Sequence, residues 1–453
     1  MIKYISDYHT FKVMNNYYLF NTEMMSAFRI TKSLFIALKD YQPYNKINVD
    51  IVPQNIINAL EKLGIIEDAL PKKVVKINPE ISPVASISLN IAQLCNLNCI
   101  YCYGIDGEYG EKGYMNKQTA FKAVDWLIKQ SLDRKNISIV FFGGEPLLNF
   151  SLIKDVVKYA TTQSKKANKK IHFSITTNGT KFNKEINKFL NKHEFGVVIS
   201  FDGTKEMQNA NRPFKGGKGS YDYIRTKIEN FIRMRKGEGI IGRATITNRN
   251  TNLKKIYDEL IKIGFKNIYT AVVSAPTNKD YQIQKNDIIN ILKDLKLQAL
   301  ETIKAIKEKN QIYNKRFIEI LKYLITKKKK HYFCGAGRNM VGISISGDIY
   351  PCHRFVGDKT MLIGNIFNFN TQNNIINIQN SELSNSQCND CWARYFCGGG
   401  CIYENLQYNK TKFVSNDYWC QELKYRVELS IYIYDQLNKD DKEYLFENYI
   451  KRK

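Results

Sequence analysis

Short apolar runs alternate with amphipathic stretches through the middle of the chain. Between the runs, Gln118–Gln130, Leu152–Gln163 and Ser220–Arg235 have the periodicity of helices. Such alternation favours a parallel sheet, and we predict an α/β fold with a partial, TIM-like (β/α)6 barrel over residues 84–310. Function in such folds collects at the carboxyl ends of the strands. The predicted strands are Ile87–Ile91, Ile137–Phe142, Ile171–Thr176, Gly196–Phe201, Ile240–Ile246 and Ile268–Val273.

The first segment, residues 1–75, has a different pattern. Short strands followed by small helices are typical of a winged-helix-like module. Such a module could bind DNA, serve only as structure, or recognise a peptide as an added strand on a sheet edge. The predicted strands are Phe11–Met14, Tyr17–Phe20 and Ser26–Thr31, and the predicted helices are Thr31–Leu38 and Pro53–Leu63.

The last segment, residues 311–453, is rich in cysteine and asparagine and has little long-range periodicity before a tail helix near Gln421. A segment of this kind builds only a small apolar core. We therefore expect metal centres to supply much of its cohesion.

Length and charge limit the classes of protein to consider. A chain of 453 residues exceeds one ordinary domain, and two or three are expected. We see neither a signal-peptide pattern nor an apolar stretch of about 20 residues, so we expect a soluble cytoplasmic protein with no membrane partner. The formal charge of +25 accompanies a composition biased towards Lys, Asn, Ile and Tyr. It is weak evidence for nucleic acid, and an acidic peptide partner would suit it equally.

The ten cysteines form two separate sets. Cys95, Cys99 and Cys102 have the spacing C-x3-C-x2-C, and the other seven lie between Cys334 and Cys420. Three thiolates on one short loop can hold three corners of an iron–sulfur cube and leave one iron open. A structural zinc site would want four ligands, and no fourth lies nearby. A disulfide framework is disfavoured without a secretion signal.

Motifs at the ends of the predicted strands extend this pattern. Together with the cysteine loop, which has Tyr101 before its last cysteine, they resemble the signature of the radical SAM superfamily. The motifs are Gly143-Gly144-Glu145-Pro146 after the second strand, Thr177-Asn178-Gly179 after the third and Ser200-Phe201-Asp202-Gly203 after the fourth.

The resemblance implies that S-adenosylmethionine binds the open iron and yields a 5′-deoxyadenosyl radical, which takes a hydrogen atom from the substrate. Glu145 would meet the cofactor's ammonium group, and Arg212 or Arg243 its carboxylate. Asn178 and Asp202 could instead be turn formers. The implied cofactor-binding residues are Tyr101, Gly143, Gly144, Glu145, Asn178, Ser200, Asp202, Arg212 and Arg243.

The seven later cysteines include a C-x2-C-x5-C-x3-C string, which alone could be a zinc ribbon. Their full order resembles the SPASM extension of radical SAM enzymes, which holds two auxiliary 4Fe–4S clusters. The resemblance implies three 4Fe–4S clusters in all. It assigns an outer auxiliary cluster to Cys388, Cys391, Cys397 and Cys420, and an inner one to Cys334, Cys352 and Cys401.

This division gives the inner cluster three cysteines, so we expect an open iron there that a substrate thiolate could bind. Alternatively, His353, Asp348 or water closes the site. Anaerobic sulfatase maturases have an aspartate base where this chain has His353, lack the N-terminal module and often have an additional cysteine at the inner cluster. The chain looks more like thioether-forming maturases of the sactipeptide, ranthipeptide or SCIFF type.

The resemblance therefore implies an enzyme that joins cysteine sulfur to carbon in a ribosomally made precursor peptide, whose leader binds the N-terminal module. The resemblance also implies a reducing electron donor such as flavodoxin or ferredoxin. Alternatives are a carbon–carbon crosslinking maturase, an enzyme like the sulfatase maturases, and a non-enzymatic zinc-ribbon and winged-helix protein that binds nucleic acid. No general base can be assigned from the sequence.

Overall fold

The computed structural model describes residues 1–69, 82–235, 238–273, 279–368, 386–411 and 414–451. The predicted segment boundary near residue 75 lies outside these ranges. The described chain contains an N-terminal pair of small sheets, a central α/β region and a C-terminal region that carries seven cysteines.

The N-terminal region contains two three-stranded antiparallel sheets, ordered β5-β1-β6 and β2-β3-β4. Its strands are β1 (Ile2–Ile5), β2 (Tyr8–Val13), β3 (Asn16–Asn21), β4 (Ser26–Ile30), β5 (Lys46–Asn48) and β6 (Ile66–Glu67), and its helices are α1 (Lys32–Ala37) and α2 (Gln54–Lys62). The predicted hairpin and third strand are thus present. The side chain of Thr31 accepts a hydrogen bond from the Leu34 amide and caps α1, which fixes where that helix begins.

In the central region the six predicted strands form one parallel sheet in chain order, β7-β9-β10-β11-β12-β13. The six strands are β7 (Ser86–Gln93), β9 (Asn136–Gly143), β10 (Lys170–Thr177), β11 (Gly196–Ser200), β12 (Ile240–Ile246) and β13 (Ile268–Val272), and the short strand β8 (Gly113–Tyr114) pairs with β7 in antiparallel orientation. The helices are α3 (Lys117–Gln130), α4 (Phe150–Lys166), α5 (Lys184–Lys192), α6 (Lys205–Asn211), α7 (Tyr221–Met234) and α8 (Leu253–Ile263). The predicted partial barrel is confirmed, and the described strands do not close into a full barrel.

The C-terminal region extends the central sheet. Strand β14 pairs with β7 in parallel, and β15 and β16 follow in antiparallel pairs. The elements are α9 (Lys285–Lys307), α10 (Lys315–Thr326), β14 (Met340–Ile343), β15 (Asp348–Tyr350), β16 (Gly364–Asn365), α11 (Ser386–Asn389), α12 (Arg394–Cys397), α13 (Ile402–Asn409), α14 (Asp417–Asp435) and α15 (Lys439–Leu445), followed by a π-helical turn at Phe446–Ile450.

Helix α14 is the predicted tail helix, and it begins four residues before the predicted position at Gln421. Asn416 sets this start, because its side chain accepts hydrogen bonds from the amides of Tyr418 and Trp419. Within the described residues, no helix is both long and apolar enough to cross a membrane.

The N-terminal sheet packs directly on the cysteine-rich region. Arg394 of α12 is buried and forms ion pairs with Asp7 and, at 2.6 Å, with Glu23. The ring of His9 on β2 stacks on Trp392, with 3.9 Å between ring centroids. Separating the two regions would leave the buried guanidinium of Arg394 without its carboxylate partners, which is costly. The interface therefore favours one relative arrangement of the two regions.

Candidate active site

A cavity of about 170 Å³ lies at the carboxyl ends of the parallel strands. Residues from the central and the C-terminal regions line it together. They are Cys95, Leu97, Cys99, Tyr101, Cys102, Tyr103, Tyr109, Phe142, Gly143, Gly144, Thr176, Thr177, Asn178, Ser200, Arg212, Arg243, Thr245, Ala271, Val272, Val273, His353, Arg354 and Tyr403. This is the end of the sheet at which parallel α/β folds place ligands.

The loop after β7 brings the three closely spaced thiols to one wall of the cavity. The amide of Leu97 donates to Cys95 Sγ at 3.4 Å, and Asn178 Nδ2 donates to the same sulfur at 3.7 Å. The Cys102 amide donates to the carbonyl oxygen of Cys99 at 3.0 Å, which tightens the loop. The backbone thus holds the three thiols close together, and the two N–H donors to Cys95 Sγ favour its thiolate form.

Burial raises the pKa of Cys95 to about 11 and that of Cys99 to about 12, and the neighbouring thiols contribute to both. The guanidinium of Arg212 opposes the increase at each. Metal ligation requires thiolates, so binding of iron would displace these protons. Three sulfurs beside one cavity, with N–H donors and a cation nearby, fit an iron–sulfur cluster. Among the described residues, no group of three or more His, Cys, Asp or Glu side chains is arranged to hold a single metal ion.

The two glycines of the motif after β9 allow the ends of two strands to meet. A Cβ at Gly143 would lie 2.2 Å from the carbonyl oxygen of Ala92, and one at Gly144 would lie 2.2 Å from that of Leu94. Gly143 also has φ of +128°. Any larger residue would therefore push the cysteine loop away from β9, so the glycines shape the cavity wall that they line.

Glu145 is fully buried behind the cavity and is not among the residues that line it. Its carboxylate accepts hydrogen bonds from the amides of Leu147 (3.0 Å) and Asn178 (2.7 Å) and from the Thr177 hydroxyl (2.8 Å). Burial raises its pKa, and these three donors oppose the increase. In this structure Glu145 ties the ends of β9 and β10 together beside Cys95. Its predicted contact with the cofactor's ammonium group stays a prediction.

Tyr101, Asp202 and Arg212 form a buried hydrogen-bonded group. The Tyr101 hydroxyl donates to Asp202 Oδ2 at 2.6 Å, and Arg212 Nη1 donates to the Tyr101 oxygen at 2.8 Å. Asp202 Oδ1 accepts from the Thr245 amide at 3.0 Å, and Asp202 does not line the cavity. Arg212 does line it, and its buried Nε has no hydrogen-bond partner within the described chain. That donor is available to an anionic group of a ligand.

Ser200 and Arg243 lie side by side on β11 and β12, where they are register partners, and both line the cavity. Burial lowers the pKa of Arg243, and the guanidinium of Arg354 lowers it further. The two predicted arginines therefore have different surroundings. Arg212 lies among Cys99, Tyr101 and Asp202, and Arg243 lies towards the C-terminal region.

The thiols of the C-terminal region lie in two neighbourhoods, and the cluster assignment that the resemblance implied stays a prediction. Burial raises the pKa of Cys397, and three thiols raise it further. These three are Cys420, Cys388 and Cys391. Burial likewise raises the pKa of Cys352 to about 11, with a contribution from Cys334, and that of Cys401 to about 12, with a contribution from Cys352. Four thiols thus share one neighbourhood and three share another, and both donor sets suit iron–sulfur clusters.

Sequence reasoning missed the residues by which the C-terminal region completes the cavity. Arg354 and Tyr403 line it, and so does Tyr103, which follows the last cysteine of the first loop. Arg354 Nη1 donates to Glu404 Oε1 at 2.6 Å and to Cys401 Sγ at 3.9 Å. Their nearness to cysteines in the sequence was a signal, but only the tertiary structure shows that they face the same cavity.

Comparisons with known proteins agree with this site. The sequence profile of the radical SAM superfamily matches residues 89–237. An uncharacterised protein of Methanocaldococcus jannaschii, MJ0907, is 30% identical over 68% of this chain and 94% of its own length. A cysteine-type anaerobic sulfatase-maturating enzyme of Clostridium novyi is 26% identical over 74% of this chain and 92% of its own length. The structure of Streptococcus suis SuiB bound to the precursor peptide SuiA matches with a TM-score of 0.53 at 16% identity, over 92% of this chain and all of SuiB.

The chain therefore belongs to the radical SAM superfamily. It is a radical SAM enzyme related to peptide maturases, and its fold is that of the enzymes with a SPASM-type extension. Membership implies S-adenosylmethionine and 4Fe–4S clusters as cofactors, and the thiol groups and cavity described above suit them. The nucleic-acid-binding alternative loses its basis, since it required a zinc ribbon without catalysis.

Proposed function

We propose that this enzyme joins a cysteine sulfur of a ribosomally made precursor peptide to a carbon atom of the same peptide, forming a thioether crosslink. The observation that carries the proposal is the group of three C-terminal thiols beside the cavity. Cys401 Sγ lies 3.9 Å from Arg354 Nη1, and Arg354 lines the cavity. Three thiols leave one position of a 4Fe–4S cluster for another ligand, and we infer that the substrate's cysteine takes it.

One side chain that could have filled this position is engaged elsewhere. Asp348 Oδ2 is ion-paired with Lys359 at 3.0 Å, and its Oδ1 accepts from Asn365 Nδ2 at 2.9 Å. These contacts favour an external ligand at the three-thiol group over closure by Asp348. The ring of His353 packs against Phe142, with 4.2 Å between centroids, and also lines the cavity.

S-adenosylmethionine at the first cluster supplies, when bound, a radical that removes a hydrogen atom from an unactivated carbon. The residues of this chain orient the reactants and exclude water. Arg212, with its free Nε donor, lies beside Cys99 and suits the cofactor's carboxylate. Leu97, Phe142 and Val272 give the cavity apolar walls, which shield a reactive species from solvent. We infer that Arg212 Nε faces the cofactor and that the three C-terminal thiols, next to Arg354, hold the substrate sulfur.

We infer that the N-terminal region, residues 1–75, binds the leader of the precursor. Strand β4 is an edge of its sheet, because within the described chain it pairs only with β3. An edge strand offers free backbone donors and acceptors to an added peptide strand. SuiB, whose fold matches 92% of this chain, was solved with a precursor peptide, which supports a peptide partner here.

We further infer a reducing electron donor such as flavodoxin or ferredoxin. The formal charge of +25 favours docking of an acidic protein by long-range attraction. A donor-dependence assay, with flavodoxin and with dithionite, tests this part separately.

Intact-mass analysis of a short cysteine-bearing peptide encoded beside this gene, co-expressed anaerobically with the enzyme, tests the proposed reaction. We expect a loss of two hydrogens per crosslink, with one fewer alkylatable thiol each time. The Cys99→Ala enzyme is the inactive control, because it lacks a ligand of the first cluster. Loss of hydrogens with every thiol still alkylatable would contradict thioether formation and indicate carbon–carbon crosslinking.

A second candidate is oxidation of a cysteine without crosslinking, as the similarity to the sulfatase-maturating enzyme of C. novyi suggests. In the same experiment this reaction would remove a thiol and leave the peptide open to complete fragmentation between its residues. A thioether would instead block fragments inside the ring, so tandem mass spectrometry separates the two.

A further inference from the structure

The end of the cavity next to the three-thiol group carries excess positive charge. Arg243 and Arg354 both line it, and Glu404 is ion-paired with Arg354. Within the described chain Arg243 has no ion-pair partner of its own. Two guanidinium groups with one carboxylate form a site that attracts an anion, and we call these three residues the cationic end of the cavity.

The guanidinium of Arg354 is held in a defined position. Its Nη1 donates to Glu404 at 2.6 Å, and its Cζ lies 5.3 Å from the ring centroid of Tyr103 and 5.5 Å from that of Tyr403. The Arg354 and Glu404 side chains are 19% and 14% exposed. A charge fixed by an ion pair and two aromatic rings needs little reorganisation to receive a ligand.

This fixed charge lies between two thiol groups. Arg354 Nη1 is 3.9 Å from Cys401 Sγ, and Arg354 is two residues from Cys352 in the chain. Tyr103, against which it packs, directly follows Cys102 of the first loop. An anionic group bound at Arg354 would therefore face the three-thiol group on one side and the interior of the cavity on the other.

We propose that Arg354, positioned by Glu404, binds the substrate cysteine as a thiolate and presents its sulfur to the three-thiol group. This inference rests on the proposed function, since it requires an open ligand position there. In the step concerned the substrate S–H bond would break and its proton would pass to solvent buffer, leaving a thiolate that Arg354 holds and that a cluster at the three thiols would bind. No electron is transferred. A cation beside the sulfur favours the thiolate over the neutral thiol.

Binding of a small thiol to the anaerobic holoenzyme tests this role. The probe is N-acetyl-L-cysteine amide, with N-acetyl-L-serine amide as its matched control, and the readout is the EPR spectrum of the reduced auxiliary clusters. We expect saturable spectral change with the thiol alone. Arg354→Gln should raise the half-saturating concentration by at least about tenfold, and Arg354→Lys, which keeps a cation, by about threefold.

Arg225→Gln is the matched control variant. Arg225 is ion-paired with Glu229 and packs on Tyr221, as Arg354 does with its own carboxylate and tyrosines, but it lies on α7 outside the cavity. We expect no change in thiol binding. Iron analysis, expected at about 12 per chain for three four-iron clusters, separates lost affinity from a lost cluster.

Full iron content and wild-type thiol affinity in Arg354→Gln would overturn the role of Arg354 and leave the proposed function intact. If the thiol leaves the EPR spectrum of the auxiliary clusters in the wild-type enzyme unchanged, the inference of an open ligand position at the three-thiol group is overturned. Should Arg354→Gln lose iron, Glu404→Asp gives the answer, because it keeps the carboxylate charge but moves the partner that positions the guanidinium. We expect several-fold weaker thiol binding there, and unchanged binding would overturn the proposal.

Discussion

The thiol group of the first loop and the two C-terminal thiol groups offer similar ligands, but they are assembled differently from the chain. Cys95, Cys99 and Cys102 lie within eight residues on one loop, between two strand ends that the fold fixes. The C-terminal thiols come from positions 334 to 420 and interlace, since Cys401 joins Cys352 although it lies between Cys397 and Cys420 in the chain. The three thiols of the first loop are positioned by the sheet that carries them. The two C-terminal thiol groups, with clusters bound, would instead link distant parts of their own region.

Loop closure explains the difference. Bringing the ends of a short loop together costs little chain entropy, and the cost rises with the logarithm of loop length. Bonds through iron that close long, interlaced loops therefore restrict the unfolded chain far more than those at the first loop do. We expect removal of a ligand to affect mainly catalysis at the first group and mainly folding at the others.

The largest effect should come from Cys99→Ala. Loss of one of three thiol ligands should abolish formation of 5′-deoxyadenosine and remove about four of about 12 irons per chain. Because β7, which the loop follows, is bonded to β9 and β14 by backbone hydrogen bonds that do not involve the thiols, the melting temperature should fall by only a few degrees. Chromatography of the nucleoside, iron analysis and calorimetry measure the three quantities. A large loss of stability would show that the first cluster also supports the fold.

The contrasting variant is Cys397→Ala, in the four-thiol group. We expect a similar loss of iron but retained cleavage of S-adenosylmethionine, together with a clear loss of stability, since the group closes long loops. Limited proteolysis should then cut the C-terminal region first. Proteolysis as slow as in the wild type would contradict a structural role for this group.

An intermediate effect is expected at the interface between the N-terminal and cysteine-rich regions. Asp7→Asn leaves Arg394 with Glu23 alone and should destabilise the protein by about 2 kcal/mol, since one partner of a buried ion pair is lost. Urea unfolding followed by tryptophan fluorescence measures it, because Trp392 lies in this interface.

Asp50→Asn, at an exposed ion pair of the same region, is the control, with an expected change below about 0.5 kcal/mol. Equal effects of the two substitutions would show that burial of Arg394 does not strengthen the interface.

The smallest effect is expected at Arg212. Arg212→Lys keeps the charge but cannot supply both the bond to Tyr101 and the free Nε donor, so affinity for S-adenosylmethionine should fall about tenfold. Equilibrium dialysis of the anaerobic enzyme measures it, with Arg225→Lys as control. An unchanged affinity would indicate that Arg243, and not Arg212, contacts the carboxylate of S-adenosylmethionine.

Local patterns were enough to predict much of the fold. The strand from Ile240 to Ile246 matches its prediction, and the other five central strands differ by one or two residues at their ends. Hydrophobic periodicity and turn residues determine such elements locally. Helix α9, Lys285–Lys307, was not among the predicted helices, although its buried positions have the spacing of an amphipathic helix.

The site was predictable where chemistry follows from spacing, as in the cysteine loop and the Gly143-Gly144 motif. The positions of Glu145 and Asp202 behind the cavity, and of Arg354 within it, were not. Each of these depends on contacts between residues far apart in the chain, such as Tyr101 with Asp202. Sequence spacing carries no information about such pairs, so tertiary packing had to supply it.

Strand β7 pairs with β9 on one side and with β14 on the other, so one continuous ladder of backbone hydrogen bonds runs from the central region into the C-terminal one. A hinge between the two regions would have to break that ladder, at the cost of buried, unpaired amides and carbonyls. The shared ladder therefore opposes hinge motion between the two regions. Under the proposed function, a peptide with more than one cysteine to modify would itself have to move relative to the cavity between successive reactions.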